Sequence, residues 1–186
     1  MSERVANTLT HAAILMGLSA LYAIAFSWVF IAAEYLQRIA HLEWMYASVL
    51  FFPHGIRVLA AYLFGWKSII YLLPVSLWHM DMDASGLAIL PSTILSMGSL
   101  VAVVIAFELL QPLRFASHRY WEAPLHPVAL LVAGSMGAIF NSVVHIGLGI
   151  VDGIKAASGL FIGDILGMLS VMLTYSLIAI VLRKVV

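Results

Sequence analysis

A histidine and an arginine lie close together in an apolar stretch that also holds a proline. The stretch is FFPHGIRVLAAYLFGW, and its His54 and Arg57 are three residues apart, a spacing that puts them on one helix face. Pro53 removes a backbone donor and Gly55 tolerates unusual backbone angles, so we expect a break or kink here that frees carbonyl oxygens. The alternative is a simple proline kink from which Arg57 extends towards water.

A carboxylate occurs in a second apolar stretch near the end of the chain. Gly159, Gly163 and Gly167 recur every four residues and form one flat helix face, and Asp164 lies beside that face. An acidic side chain in apolar surroundings must be neutral or paired. We therefore predict an ion pair between Arg57 and Asp164, which requires the early and the late helix to pack together. The alternative is that Asp164 lies near enough to the helix end to reach water.

Two further polar residues, Asn141 and His145, are four apart and share a face of another apolar helix. They either line a ligand cavity or hydrogen-bond a neighbouring helix, which is the commoner use of such residues. A ligand with an anionic group would compete with the carboxylate for the guanidinium and so shift the packing of two helices. The predicted polar pocket consists of His54, Arg57, Asn141, His145 and Asp164.

The composition places the chain in a lipid bilayer. Of its 186 residues 63% are hydrophobic and 10% are charged, whereas a soluble domain is roughly half apolar and about a quarter charged. Nine basic residues balance nine acidic ones and form no basic run, which argues against nucleic-acid binding. Because the chain has no cysteine, disulfides, thiolate metal ligands and cysteine nucleophiles are excluded.

Six apolar stretches are suited to be membrane-spanning helices, which need about 20 mostly apolar residues. They do not alternate apolar and polar residues, so a β-barrel is not expected. We predict an all-α polytopic bundle that forms a single transmembrane domain over residues 1–186. The predicted spans are 11–33, 45–64, 66–80, 87–110, 126–150 and 156–182, of which the second is broken at Pro53 and the third is short.

Basic residues predict the orientation, because Lys and Arg are retained on the cytoplasmic side. With both termini in the cytoplasm, six basic residues lie on that side and only Arg38 and Lys155 lie on the other. We therefore predict a multi-pass protein of the bacterial inner membrane with both termini cytoplasmic. Four tryptophans fall near the predicted boundaries with water, as in an aromatic belt: Trp44, Trp66, Trp78 and Trp121.

Signatures of catalysis and of cofactor binding are missing from the sequence. It contains no nucleophile elbow, zinc-protease, P-loop or dinucleotide-binding motif. The HMDMD segment, with His79, Asp81 and Asp83, either ligates a metal or forms an ordinary polar turn, and we favour the turn. Nothing around His54 and His145 indicates a haem slot. We expect no enzymatic activity, no cofactor and no metal.

Two segments carry motifs that point to a known family. Phe51–Pro74 contains a Pro-x-Gly break, at Pro53 and Gly55, and an apolar run that ends at Gly65, while IGDILGML contains a Gly-Asp-x-x-Gly element. Together they resemble the MASE family of bacterial membrane-associated sensor domains. Members of the family usually carry kinase or cyclic-dinucleotide output domains after the membrane part, and this chain ends two residues after Lys184. The resemblance implies a sensing module that passes its state to a separate protein, or one that has lost the signalling role.

Two other classes also fit a chain of this size with glycine-rich packing faces. It is similar to the substrate-binding subunits of energy-coupling-factor vitamin transporters, and it is also typical of a non-catalytic accessory subunit of a larger membrane complex. All three classes predict a membrane-protein partner or a homo-oligomer in the lipid bilayer, and none involves nucleic acid. We favour a sensor-like module that binds a small-molecule ligand or a partner protein through the polar pocket.

Overall fold

The regular structure of this chain is helical throughout the part that is described. The computed structural model describes residues 3–28, 31, 34–39, 50–82, 89–110, 127–150 and 153–185, and these residues form no β-strand. The all-α prediction is confirmed for this part of the chain. The helices are α1 (Glu3–Trp28), α2 (Glu34–Ile39), α3 (Phe52–Phe64), α4 (Lys67–Met82), α5 (Ile89–Leu110), α6 (Pro127–Gly147) and α7 (Gly153–Val185).

Within the described residues, four helices are long and apolar enough to cross a membrane. They are Val5–Trp28 in α1, Thr93–Leu110 in α5, Pro127–Gly147 in α6 and Gly153–Ile178 in α7. Large apolar side chains cover their outer faces, among them the exposed Ile24 of α1. Contiguous apolar surface of this extent is not left in water. The chain is therefore a membrane protein, with lipid against these faces.

The two remaining predicted spans correspond to shorter helices, α3 and α4. They contain 13 and 16 residues and are thus about 20 and 24 Å long, less than the roughly 30 Å of a hydrocarbon core. Gly65 joins them with a φ of +54°, a left-handed conformation that favours glycine. Its N–H donates to the Ala61 carbonyl over 2.8 Å and closes α3. Among the described residues there are therefore four helices long enough to cross a membrane, with a short helical pair at the second and third predicted spans, of which the third is predicted to be short.

Pro53 lies at the beginning of a helix. α3 starts at Phe52, so the proline occupies the first turn, where a missing backbone N–H breaks no helical hydrogen bond. Leu50 and Phe51 precede the helix and are not helical. Residues 45–49, the first part of the predicted second span, lie outside the described part of the chain.

α3 is the central helix of the bundle. It packs against α1, α4, α5, α6 and α7, and nine of its 13 residues are buried. One apolar cluster joins α3 to α5, α6 and α7, and a second joins it to α1, α4 and α5. The helix that carries His54 and Arg57 is therefore enclosed by protein, and these two polar side chains face other helices.

Candidate functional site

The first turn of α3 and the middle of α7 approach until their backbones touch. A Cβ atom on Gly167 would overlap the backbone carbonyl of Phe51, and one on Gly55 would lie 2.9 Å from the Met168 Cα. The Phe51 N–H donates across the crossing to the Gly163 carbonyl over 3.0 Å. Such a close approach is open only to residues without a side chain. It brings the start of α3 beside the acidic residue of α7.

Asp164 receives its contacts from two different helices. Its Oδ2 accepts a hydrogen bond of 2.9 Å from the Asn141 Nδ2 on α6 and lies 3.7 Å from the His54 Nδ1 on α3. The other ring nitrogen of His54, Nε2, is 3.0 Å from the Gly134 carbonyl oxygen on α6. All three polar side chains are buried, with His54 and Asp164 each 1% exposed. They form a polar group, named the α3–α6–α7 cluster below, that consists of His54, Asn141 and Asp164.

Arg57 is held by aromatic residues. Its Nε donates to the Tyr22 hydroxyl oxygen over 2.9 Å, and its Nη2 donates to the same oxygen. The guanidinium carbon lies 5.5 Å from the ring centroid of Tyr22 and 5.6 Å from that of Phe51, both within cation–π range. The residue is 3% exposed. A buried cation is thus compensated by one phenol oxygen and two ring faces.

The predicted ion pair between Arg57 and Asp164 is not formed. Within the described residues, Arg57 contacts no carboxylate at ion-pair distance, and the polar contacts of Asp164 are with Asn141 and His54. Both side chains are buried near the α3–α7 crossing, but α1 supplies an acceptor for the guanidinium and α6 supplies a donor for the carboxylate. Each charge therefore finds a nearer partner on a different helix.

His145 belongs to the edge of this region. It is half-buried, its Nδ1 lies 2.8 Å from the Asn141 carbonyl oxygen one turn earlier, and both Asp164 and Arg57 act on it electrostatically. Asn141 spans the gap between α6 and α7 by its bond to Asp164, which is the interhelical use of an amide. Gly159, the first glycine of the α7 series, is also buried. The structure brings four of the five predicted pocket residues within one connected region, with Arg57 on the Tyr22 side of α3.

The other polar sites that the sequence singles out lie elsewhere or beyond the described residues. The ring of His79 stacks on that of Phe26, with centroids 4.4 Å apart. The side chains of Asp81 and Asp83 lie outside the described part of the chain, as do Trp44 and Trp121. In the part that is described, no three His, Asp or Glu side chains come close enough to hold a metal ion. Trp66 and Trp78 are exposed.

Three residues that contact the buried polar side chains are not identified from the sequence. Tyr22 is the acceptor for Arg57, Gly134 is the carbonyl partner of His54, and a Cβ on Gly137 would lie 3.5 Å from the His54 Cε1. The two glycines lie in the small-residue run AGSMGA, which could have indicated a packing face for α3. A single tyrosine in an apolar span carries no comparable signal, because its partner is 35 positions away in the chain.

No protein-family model, no curated protein and no solved structure matches this chain. The MASE resemblance therefore stays a prediction.

Proposed function

We propose that this chain is an integral membrane, sensor-like module that binds a small ligand with an anionic group at Arg57 and passes its bound state to a separate protein. The observation that carries this proposal is a buried guanidinium without a carboxylate partner among the described residues. A buried charge is costly unless it is paired and hydrogen-bonded. An anionic oxygen is the partner that would complete the site.

The edge of the guanidinium that faces Tyr22 has the geometry of an anion-binding fork. Nε and Nη2 both point at one neutral phenol oxygen, whereas the same pair of donors is suited to the two oxygens of a carboxylate or phosphate. The rings of Tyr22 and Phe51 would enclose a small planar group. A carboxylate or phosphate that displaces the Tyr22 hydroxyl would therefore gain two charge-assisted hydrogen bonds.

Displacement of Tyr22 provides a route from the ligand to the rest of the bundle. Tyr22 lies on α1, which packs against α3 and α4 and is the least buried of the four long apolar helices. The start of α3 is in turn locked to α7 through Phe51 and Gly167. The helices then have two arrangements, one with Tyr22 bound to Arg57 and one with α1 moved away. A ligand that binds the second arrangement better increases its population. A partner protein that contacts α1 or α7 would detect that shift.

The finer membrane topology forms part of the same proposal. In it α3 and α4 enter the membrane as the second and third of six crossings, with the short pair enclosed by the longer helices. Both termini lie in the cytoplasm of a bacterial inner membrane, and a partner protein supplies the output. The chain itself acts by binding and has no catalytic role.

The experiment is to purify the full chain in mild detergent and identify the small molecules and proteins that co-purify, using native mass spectrometry. Arg57→Gln is compared with wild type and with Lys67→Gln, which removes an exposed positive charge by the same substitution. The expected result is an anionic molecule bound to wild type and to the control and lost from Arg57→Gln.

Equal occupancy in folded Arg57→Gln, or a wild-type protein without any bound anion, would refute the proposal. Arg57→Lys separates charge from geometry, because lysine keeps the charge and loses the fork. Retention of an ATP-hydrolysing complex by wild type would instead favour the transporter class.

A further inference from the structure

The ring of His54 has one nitrogen with a hydrogen-bond partner and one without. Nε2 lies 3.0 Å from the Gly134 carbonyl oxygen, and because a carbonyl oxygen only accepts, Nε2 must carry a hydrogen. In a neutral imidazole the other nitrogen, Nδ1, is then an acceptor. Nδ1 is buried and has no hydrogen-bond partner among the described residues. The tertiary fold therefore specifies the tautomer and leaves a lone pair unused.

The group opposite that lone pair is also an acceptor. Asp164 Oδ2 lies 3.7 Å from Nδ1 and already accepts a hydrogen bond from the Asn141 Nδ2. Two acceptors that face each other at 1% exposure are unfavourable, since buried polar atoms require a donor. One hydrogen between Nδ1 and Oδ2 would satisfy both atoms. The Asn141 Oδ1 in the same cluster is likewise buried without a hydrogen-bond partner among the described residues, while the Nδ2 of the same amide donates to Asp164.

We propose that the α3–α6–α7 cluster is a proton-binding site inside the bundle, in which one proton from the solvent is held between His54 Nδ1 and Asp164 Oδ2. The proton adds to the free lone pair of the ring, and the product is an imidazolium hydrogen-bonded to a carboxylate. No other bond is made or broken. This site involves a different part of α3 from the Arg57 fork and does not depend on the ligand proposed there.

The charged and titratable groups around the cluster come from each helix that faces it. α3 contributes Arg57, α6 contributes His145 and α1 contributes the phenol of Tyr22, while α7 carries Asp164 itself. With His54 neutral, the ionised Asp164 and Arg57 sum to zero charge. Uptake of the proton gives these three side chains a net charge of +1. The negative charge of Asp164 favours uptake, and the positive charge of Arg57 opposes it.

Proton binding would act on the packing of three helices. A charge-assisted hydrogen bond is about 2.8 Å long, so the contact between Nδ1 and Oδ2 would shorten from 3.7 Å and join α3 to α7 through a side-chain bond beside the existing backbone contact. The same ring remains tied to α6 through Gly134. The protonation state of one histidine therefore determines whether a side-chain bond reinforces the crossing.

The test is a nitrogen NMR titration of the full chain, labelled at the imidazole nitrogens of its histidines and reconstituted in lipid nanodiscs, from about pH 5 to pH 9. The His54 signals are assigned by their loss in His54→Gln. We expect Nδ1 to change from an unprotonated to a protonated nitrogen in one step. In Asp164→Asn, which removes the carboxylate, we expect Nδ1 to stay unprotonated at a pH at which the wild-type Nδ1 carries the proton. Glu108→Gln, a carboxyl control at the end of α5, should leave the protonation of Nδ1 unchanged.

Two further variants keep the test decisive. If Asp164→Asn does not fold, Asn141→Ala removes the donor to Oδ2 and should also shift the titration of His54. Arg57→Gln should shift the titration of His54 while leaving the His54–Asp164 site intact. Failure of the anion proposal can therefore be distinguished from failure of the proton-binding proposal. A His54 with one protonation state over the whole range, or a titration that Asp164→Asn and Asn141→Ala leave unchanged, would overturn the proposal.

Discussion

Replacing Gly167 by alanine tests the backbone contact between α3 and α7. The added Cβ would overlap the Phe51 carbonyl and lie 2.8 Å from the Phe52 nitrogen, and both are backbone atoms that move only with the whole helix start. Overpacking of this kind costs about 1–3 kcal/mol. Separation of the helices would also weaken the hydrogen bond from Phe51 to Gly163, which contributes about 1 kcal/mol. The contact terms therefore amount to a loss of about 2–4 kcal/mol.

The matched control is Gly17→Ala in α1, because a Cβ there meets no atom within 4 Å. Both variants gain the same intrinsic helix propensity, about 1 kcal/mol for alanine over glycine. The difference between their unfolding free energies therefore isolates the contact. We would titrate each protein from mild detergent into sodium dodecyl sulfate, follow tryptophan fluorescence and compare the unfolding free energies. Equal free energies for the two variants would refute the close approach and, with it, the placement of His54 beside Asp164.

Three further predictions concern the polar site, the packing of α6 and the topology. Tyr22→Phe removes the oxygen that accepts both hydrogen bonds from Arg57, so we expect the unfolding free energy to fall by about 1–3 kcal/mol, partly restored by Arg57→Met in the double variant. Gly137→Ala places a Cβ 2.8 Å from a methyl group of Val103, a side chain that can adjust. We therefore expect the unfolding free energy to fall by about 1 kcal/mol, less than in Gly167→Ala. Because the chain has no cysteine, Lys67→Cys and Lys155→Cys can each be labelled alone, and we expect an impermeant thiol reagent to reach the first from the cytoplasmic side and the second from the opposite side.

Each of these predictions has an outcome that contradicts it. For the tyrosine the control is Tyr175→Phe, at a partly exposed position of α7, and equal unfolding free energies in the two variants would mean that the phenol does not support the guanidinium. If Gly137→Ala lowers the unfolding free energy as much as Gly167→Ala, the expectation that a backbone overlap costs more than a side-chain overlap is wrong. Labelling of both cysteines from one side would contradict the proposed topology.

The two glycine-containing segments show which structural features the local spacing of residues predicts. Gly163 and Gly167 predict a flat face because their period matches the helix, and the structure places that face against the start of α3. Pro53 and Gly55 indicate an interruption, and the structure has a helix start there. Hydropathy predicts a short helix at 66–80, close to α4, but it does not give the bounds of α3, since a helix enclosed by other helices can be apolar without spanning a membrane.

The partners of the charged residues were not predictable in the same way. The predicted pair of Arg57 and Asp164 rests on opposite charge in apolar surroundings, yet Tyr22 and Asn141 take their hydrogen bonds. A tyrosine and an asparagine in apolar spans have many possible neighbours, and only helix packing selects among them. The carbonyl of Gly134 is an even clearer case, because every residue in the helix has the same group.

The sequence by itself determined that this chain is helical and lies in a membrane, because composition and helical period act locally and depend on no partner. It also determined which face of α7 is small enough for close packing, because the glycines recur at the helical period. Only the tertiary structure decided which atoms meet inside the bundle, because hydrogen bonds are directional and short and their partners lie far apart along the chain. For the same reason, the tautomer of His54 and the neutral oxygen at Arg57 follow from packing alone.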